Sequence, residues 1–169
     1  MIIAHEIDKR IAIVDCETML ELFHVGFYNP DVQEWREFEV SNYKNDIFAF
    51  VKHYTSNSYD YIVTYNGVNF DQQIFQYIVD NHQKWIDLDN LGVCRKIYDY
   101  ARRVIENSNY NLFSEYKEKD FSIPAIDVFR IHHFDNEARR TSLKWCAFML
   151  NMDVEEMPIH HNQINLTKE

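Results

Sequence analysis

Ile11-Ala12-Ile13-Val14-Asp15-Cys16-Glu17-Thr18 opens as a β-branched apolar run and turns acidic at its fifth residue. Residues 11–15 read as a buried strand. Successive strand residues point to opposite faces, so Asp15 and Glu17 project from one face and Cys16 from the other. Two carboxylates that close repel each other. At the end of an apolar strand the pair is costly unless a cation sits between them, and hard oxygen ligands suit Mg²⁺ or Mn²⁺. The competing reading is a strand that simply emerges into solvent at Asp15.

The flanking sequence predicts how that strand is housed. Residues 22–28 and 34–40 read as two further strands joined across Asn29-Pro30-Asp31, which completes a three-stranded meander. From Asn45 the period changes, with Ile47, Phe48, Phe50, Val51 and Tyr54 at helical spacing, followed by a polar stretch and a fourth strand over 61–65. A right-handed crossover predicts that this strand lies beside the first. A helix begins near Phe70 with Ile74, Tyr77 and Ile78 on one face. The stretch 92–119 is helix-compatible with an interruption at Asn107-Ser108-Asn109; 124–129 reads as a short strand and 141–150 as a helix with Leu143, Cys146, Ala147 and Leu150 inward. The expectation is an α/β fold: a mixed sheet, antiparallel meander plus parallel strands, flanked by helices in a single domain over 1–169.

Composition sets bounds on function. The 169 residues carry 17 Lys and Arg against 27 Asp and Glu, a formal charge of −10, and 46% are hydrophobic. With 3 Gly, 3 Pro, 12 Phe and 11 Tyr the chain has ample apolar area for a core and is not a linker or disordered tail. The acidic balance argues against holding nucleic acid by bulk charge. Cys16, Cys94 and Cys146 show no paired spacing, so neither a disulfide framework nor a zinc knuckle is expected, and a reducing cytoplasm fits. No signal peptide and no membrane span are expected, because the first ten residues include acids and no apolar run reaches about 18 residues.

A third carboxylate follows the fourth strand, in Tyr65-Asn66-Gly67-Val68-Asn69-Phe70-Asp71. Asp at a helix start is commonly a cap or dipole partner. Here the predicted topology brings Asp71 towards Asp15 and Glu17, at the carboxyl ends of parallel strands where open α/β sheets bind ligands.

Asp-x-Glu-Thr on the first strand, Asn-x-x-x-Phe-Asp after the fourth and Ser-Leu on a later helix together resemble the DEDD 3′–5′ exonucleases of the ribonuclease-H-like superfold. The resemblance is to the proofreading domains of family B DNA polymerases and their stand-alone phage-type relatives, and runs from Asp15 to about Leu150. It implies that Asp15, Glu17 and Asp71 hold Mg²⁺ or Mn²⁺. It also implies that Thr18, Asn66, Phe70, Ser142, Leu143 and Lys144 contact a single-stranded 3′ end, of DNA or alternatively RNA, with a polymerase or replication partner. The implied chemistry is two-metal phosphodiester hydrolysis, in which the cations activate water, stabilise the leaving 3′ oxygen and offset the local negative charge. The plain readings are core packing for Phe70 and Leu143, and cap or turn hydroxyls for Thr18 and Ser142.

Other features weigh on this reading. Arg130, Arg139, Arg140 and Lys144, with His132, His133 and Phe134, form a basic, aromatic stretch able to track a backbone and stack bases, or else a solvated loop. Asp127 reads as structural. Zinc at His132-His133 or His160-His161 is not expected, since adjacent residues on a strand diverge. The family's fourth acid, on a final helix, has no counterpart: Asp153, Glu155 and Glu156 come too soon after Ser142-Leu143. The expectation is therefore a chain lacking the final catalytic helix, as a fragment, as a partner to a chain that supplies it, or as a catalytically inactive nucleic-acid-binding or protein-interaction module.

Overall fold

A computed structural model describes residues 9–110, 114–134 and 141–153. Strands β1 (Ile11–Met19), β2 (Leu22–Asn29) and β3 (Glu34–Ser41) form the meander. Helix α1 (Ile47–Tyr54) then crosses over to β4 (Tyr61–Thr64). Helices α2 (Asp71–Asn81) and α3 (Asn90–Asn109) follow, and a three-residue strand β5 (Ala125–Asp127) leads into α4 (Val128–His132) and α5 (Leu143–Met149). The sheet order is β3-β2-β1-β4-β5, with β1 antiparallel to β2 and parallel to β4. This is the mixed sheet flanked by helices that the order of elements predicts.

Alternation sorts the sheet into two faces. Ala12, Val14 and Cys16 of β1 and Phe23, Val25 and Phe27 of β2 point under the helices and are buried. There they meet Phe50 and Tyr54 of α1, Ile74, Phe75 and Ile78 of α2, and Val93, Ile97 and Tyr100 of α3. The rings interlock: Phe23 and Phe50 meet edge to face at 5.8 Å, and Phe50 stacks on Tyr54 at 5.6 Å. Such pairs add about 0.5–1.5 kcal/mol beyond their buried area. The opposite face is less covered, leaving Ile13, Trp35 and Ile126 exposed.

Several elements depart from their expected bounds. β1 runs four residues past Asp15, because pairing with β2 continues as far as Met19 against Leu22. Asp15 and Glu17 are thus in mid-strand. Phe48, expected inward, is 50% exposed and rests edge-on against His82. α3 continues through Asn107-Ser108-Asn109 and ends there instead of being interrupted. β5 stops at Asp127, whose carboxylate accepts the Phe129 N–H and starts α4 where more strand was expected. On α5, Leu143 and Leu150 are exposed, and only Cys146 and Ala147 are partly covered.

Buried glutamines tie α2 to the irregular segment beyond α3. Gln72 accepts from the Tyr54 hydroxyl and donates to the Ile123 carbonyl at 2.8 Å. Gln73 donates to the Val68 and Tyr116 carbonyls and accepts the Tyr116 N–H, while Gln76 accepts from both the Ser122 N–H and hydroxyl. Irregular backbone buried beside a helix needs such partners, since no ladder supplies them.

Candidate active site at the open edge of the first strand

β4 pairs with β1 only over Ile11–Ile13, so beyond Ile13 that edge of β1 has no neighbouring strand. An unpaired N–H on a buried edge must find an acceptor. At Cys16 the acceptor is Asp71, whose Oδ1 lies 3.2 Å from the backbone nitrogen. Asp71 is the first residue of α2, an acid in its first turn as a dipole partner would be, and its carboxylate also bonds the helix to the strand.

The loop that delivers Asp71 is held from below. Leaving β4, the chain reverses at Asn66 with φ 62°, a left-handed conformation that Asn tolerates better than most side chains. Asp127, 5% exposed at the end of β5, accepts the Asn66 N–H at 2.8 Å and the Val68 N–H at 3.2 Å. Gly67 sits so close to Thr64 that a Cβ there would land on the threonine side chain. Asp127 is thus the structural residue of this loop.

Electrostatics link the three acids. Burial first, and then the neighbouring Asp15 charge, push the Asp71 carboxyl up to about 7, against the lowering effect of the Cys16 hydrogen bonds. Desolvation also raises Asp15, although that residue keeps substantial exposure; the Cys16 N–H and His24 act in the opposite sense. The Cys16 thiol, buried on the core face of the strand, is raised by burial and then by Asp71, Asp15 and Glu17. All three carboxylates therefore act on one strand position. Among the described residues, however, no three of His, Cys, Asp or Glu converge as a ready-made metal cage. Across the sheet Asp15 faces Gly26 and Glu17 faces His24, whose Nε2 lies 4.0 Å from Glu37.

The other predicted residues lie on β1, on the turn and helix start after β4, and at the start of α5. Thr18 is half-buried on β1 opposite Phe23. Asn66 forms the turn, with its side-chain oxygen accepting from Asn69 at 2.9 Å, and Phe70 packs partly buried against the core. Ser142 caps α5 by accepting the Trp145 N–H at 3.1 Å, and Leu143 and Lys144 are exposed. Tyr65 ties the start of α5 to the end of β4: its hydroxyl donates to the Thr141 carbonyl at 2.6 Å and lies 3.6 Å from the Cys146 sulfur. The sequence reading gave Tyr65 no role, and a polar-tipped aromatic beside a turn was the only signal. No family model, curated protein or solved structure matches the chain.

The basic stretch divides. Arg130 pairs with Glu118, His133 is buried and accepts the Thr141 N–H at 3.1 Å, and Phe134 is 84% exposed. His132 and His133 end a short helix instead of lying on a strand, and His133 is engaged in holding α5. Arg139 and Arg140, like Glu155, Glu156 and the rest of the tail, where the resemblance would place a final helix, lie outside the described residues. The three cysteines are free thiols, and among the described residues no helix is long and apolar enough to cross a membrane.

Proposed function

We propose that this chain is a metal-dependent 3′–5′ exonuclease domain of the DEDD type on a ribonuclease-H-like fold, acting on single-stranded nucleic-acid ends. The observation that carries the proposal is the hydrogen bond that seats Asp71 against Cys16, the residue that separates Asp15 from Glu17 along the strand. The sheet order, a meander continued by parallel strands, supports the same reading.

The donor set fits the cation it would hold. Three carboxylates offer hard oxygen ligands, and Asp71 is partly neutralised in the apo state by burial and by Asp15, a penalty that a divalent cation would relieve. Bound Mg²⁺ or Mn²⁺ would supply the Lewis-acid chemistry of phosphodiester hydrolysis. Asp15, Glu17 and Asp71 would hold the cation, and Asp127 supports Asp71 through the loop. Thr18, Asn66, Phe70, Ser142, Leu143 and Lys144 line the approach of the strand, with DNA as substrate, RNA as the alternative and a polymerase as a fitting partner. In the test, a 5′-labelled single strand incubated with Mn²⁺ shortens stepwise from its 3′ end, and Asp15→Ala abolishes the ladder. An intact strand under wild-type protein, or a ladder unaffected by Asp15→Ala, contradicts the proposal.

A second reading has its own observation. Trp145, Phe148, Met149 and Leu150 are all more than half exposed on α5, as suits a catalytically inactive interaction module. That reading predicts partner binding indifferent to Asp15→Ala.

A further inference from the structure

A cleft of about 380 Å³ opens between the Asn66–Asn69 turn, the C-terminal half of α3 and the first turn of α4. We infer that this cleft is a binding slot for a single unstacked nucleobase, an inference that rests on the single-strand reading above and gives it a base-holding site.

The lining argues for a base over a phosphate. Among the described residues its one cation, Arg103, is balanced by Glu115, so their formal charges leave no net charge with which to hold an anion. Asn66, Asn69 and Asn107 instead present carboxamides, which match the mixed donor and acceptor edge of a base. Phe129 supplies an aromatic wall, itself braced edge-on by Tyr65 at 5.5 Å. Stacking on such a ring tolerates any base.

The opposite wall is built in advance. Tyr100 stacks on Tyr77 at 3.9 Å with ring planes 2° apart, and the Arg103 guanidinium carbon lies 5.1 Å over the Tyr100 ring. The Tyr100 side chain is 1% exposed and its hydroxyl has no hydrogen-bond partner of ordinary length among the described residues, although Glu115 is near enough to act on it. A buried hydroxyl in that state gains from a ligand that accepts or donates to it. The volume lies within the range of about 300–1,000 Å³ typical of small-molecule sites.

The test uses the whole chain in EDTA, with deoxyadenosine and thymidine as probes and 2-deoxyribose 5-phosphate as the comparison ligand, read by chemical-shift titration. The nucleosides should bind at least tenfold more tightly than the sugar phosphate. Tyr100→Phe, which keeps the stack on Tyr77, and Asn107→Ala should each weaken nucleoside binding about fivefold or more. Equal binding of the sugar phosphate, wild-type affinity in both variants, or no nucleoside binding overturns the inference. The two readings separate cleanly: nucleoside binding without strand cleavage supports the cleft and contradicts the nuclease, whereas cleavage without nucleoside binding overturns the cleft alone.

Discussion

The Asp71 carboxylate accepts the backbone N–H of Cys16 at 3.2 Å across a sequence separation of 55 residues. One side chain thereby satisfies an N–H on the open edge of the central strand and brings a buried acid within electrostatic reach of Asp15.

That arrangement has a pH signature. With the Asp71 carboxyl raised from 3.8 to about 7, the folded chain binds more protons than the unfolded chain between those values. The contribution of Asp71 to stability should therefore be fully present below about pH 4 and be lost as pH rises through 7. In EDTA the urea midpoint of the wild type should drop over this window. Asp71→Asn should flatten the drop, matching the wild type at pH 4 and exceeding its stability at pH 8. Coincident curves at both pH values would show that Asp71 does not titrate in this way.

Asp127 is the anchor of the loop. Its carboxylate accepts the N–H groups of Asn66, Val68 and Phe129, so Asp127→Ala strands three backbone donors. The expected cost is about 3 kcal/mol or more, given roughly 1–3 kcal/mol for each buried group left unsatisfied. Denaturant unfolding measures it, and a loss below about 1 kcal/mol contradicts the anchoring role.

The closeness of Gly67 to Thr64 is a steric claim that a double-mutant cycle can isolate. Gly67→Ala should destabilise by about 1–3 kcal/mol, as overpacking does. In a Thr64→Ala background that penalty should largely vanish. Thr64→Val alone should be neutral or better, because the Thr64 hydroxyl is buried with no partner among the described residues.

Phe50 is 0% exposed and touches the rings of Phe23, Phe38, Tyr54 and Phe75. Phe50→Ala should cost about 3–5 kcal/mol in thermal or chemical unfolding. A cost under 1 kcal/mol would mean that the aromatic cluster does not hold the helices to the sheet.

Periodicity made much of this fold legible. The meander, the crossover helix and the parallel placement of β4 beside β1 follow from alternation, a turn cluster and the handedness of crossovers. The same signals fail where side chains override local pattern. Val128 and Phe129 read as strand until the Asp127 carboxylate is seen to start a helix there. Gln72, Gln73 and Gln76 carry no apolar signal, yet they are buried, because the neighbouring segment needs their hydrogen bonds. At the site, the spacing of Asp15 and Glu17 is local and legible. The seating of Asp71 depends on β4 ending three residues into its pairing with β1, a register no single segment encodes.

The most direct measurement of the central claim is Mn²⁺ titration followed by electron paramagnetic resonance, on the wild type and on Asp15→Asn, Glu17→Gln and Asp71→Asn. If the three carboxylates share one cation site, each variant binds Mn²⁺ at least tenfold more weakly and any two combined lower affinity little further. Wild-type Mn²⁺ binding in the variant carrying all three substitutions would contradict the account.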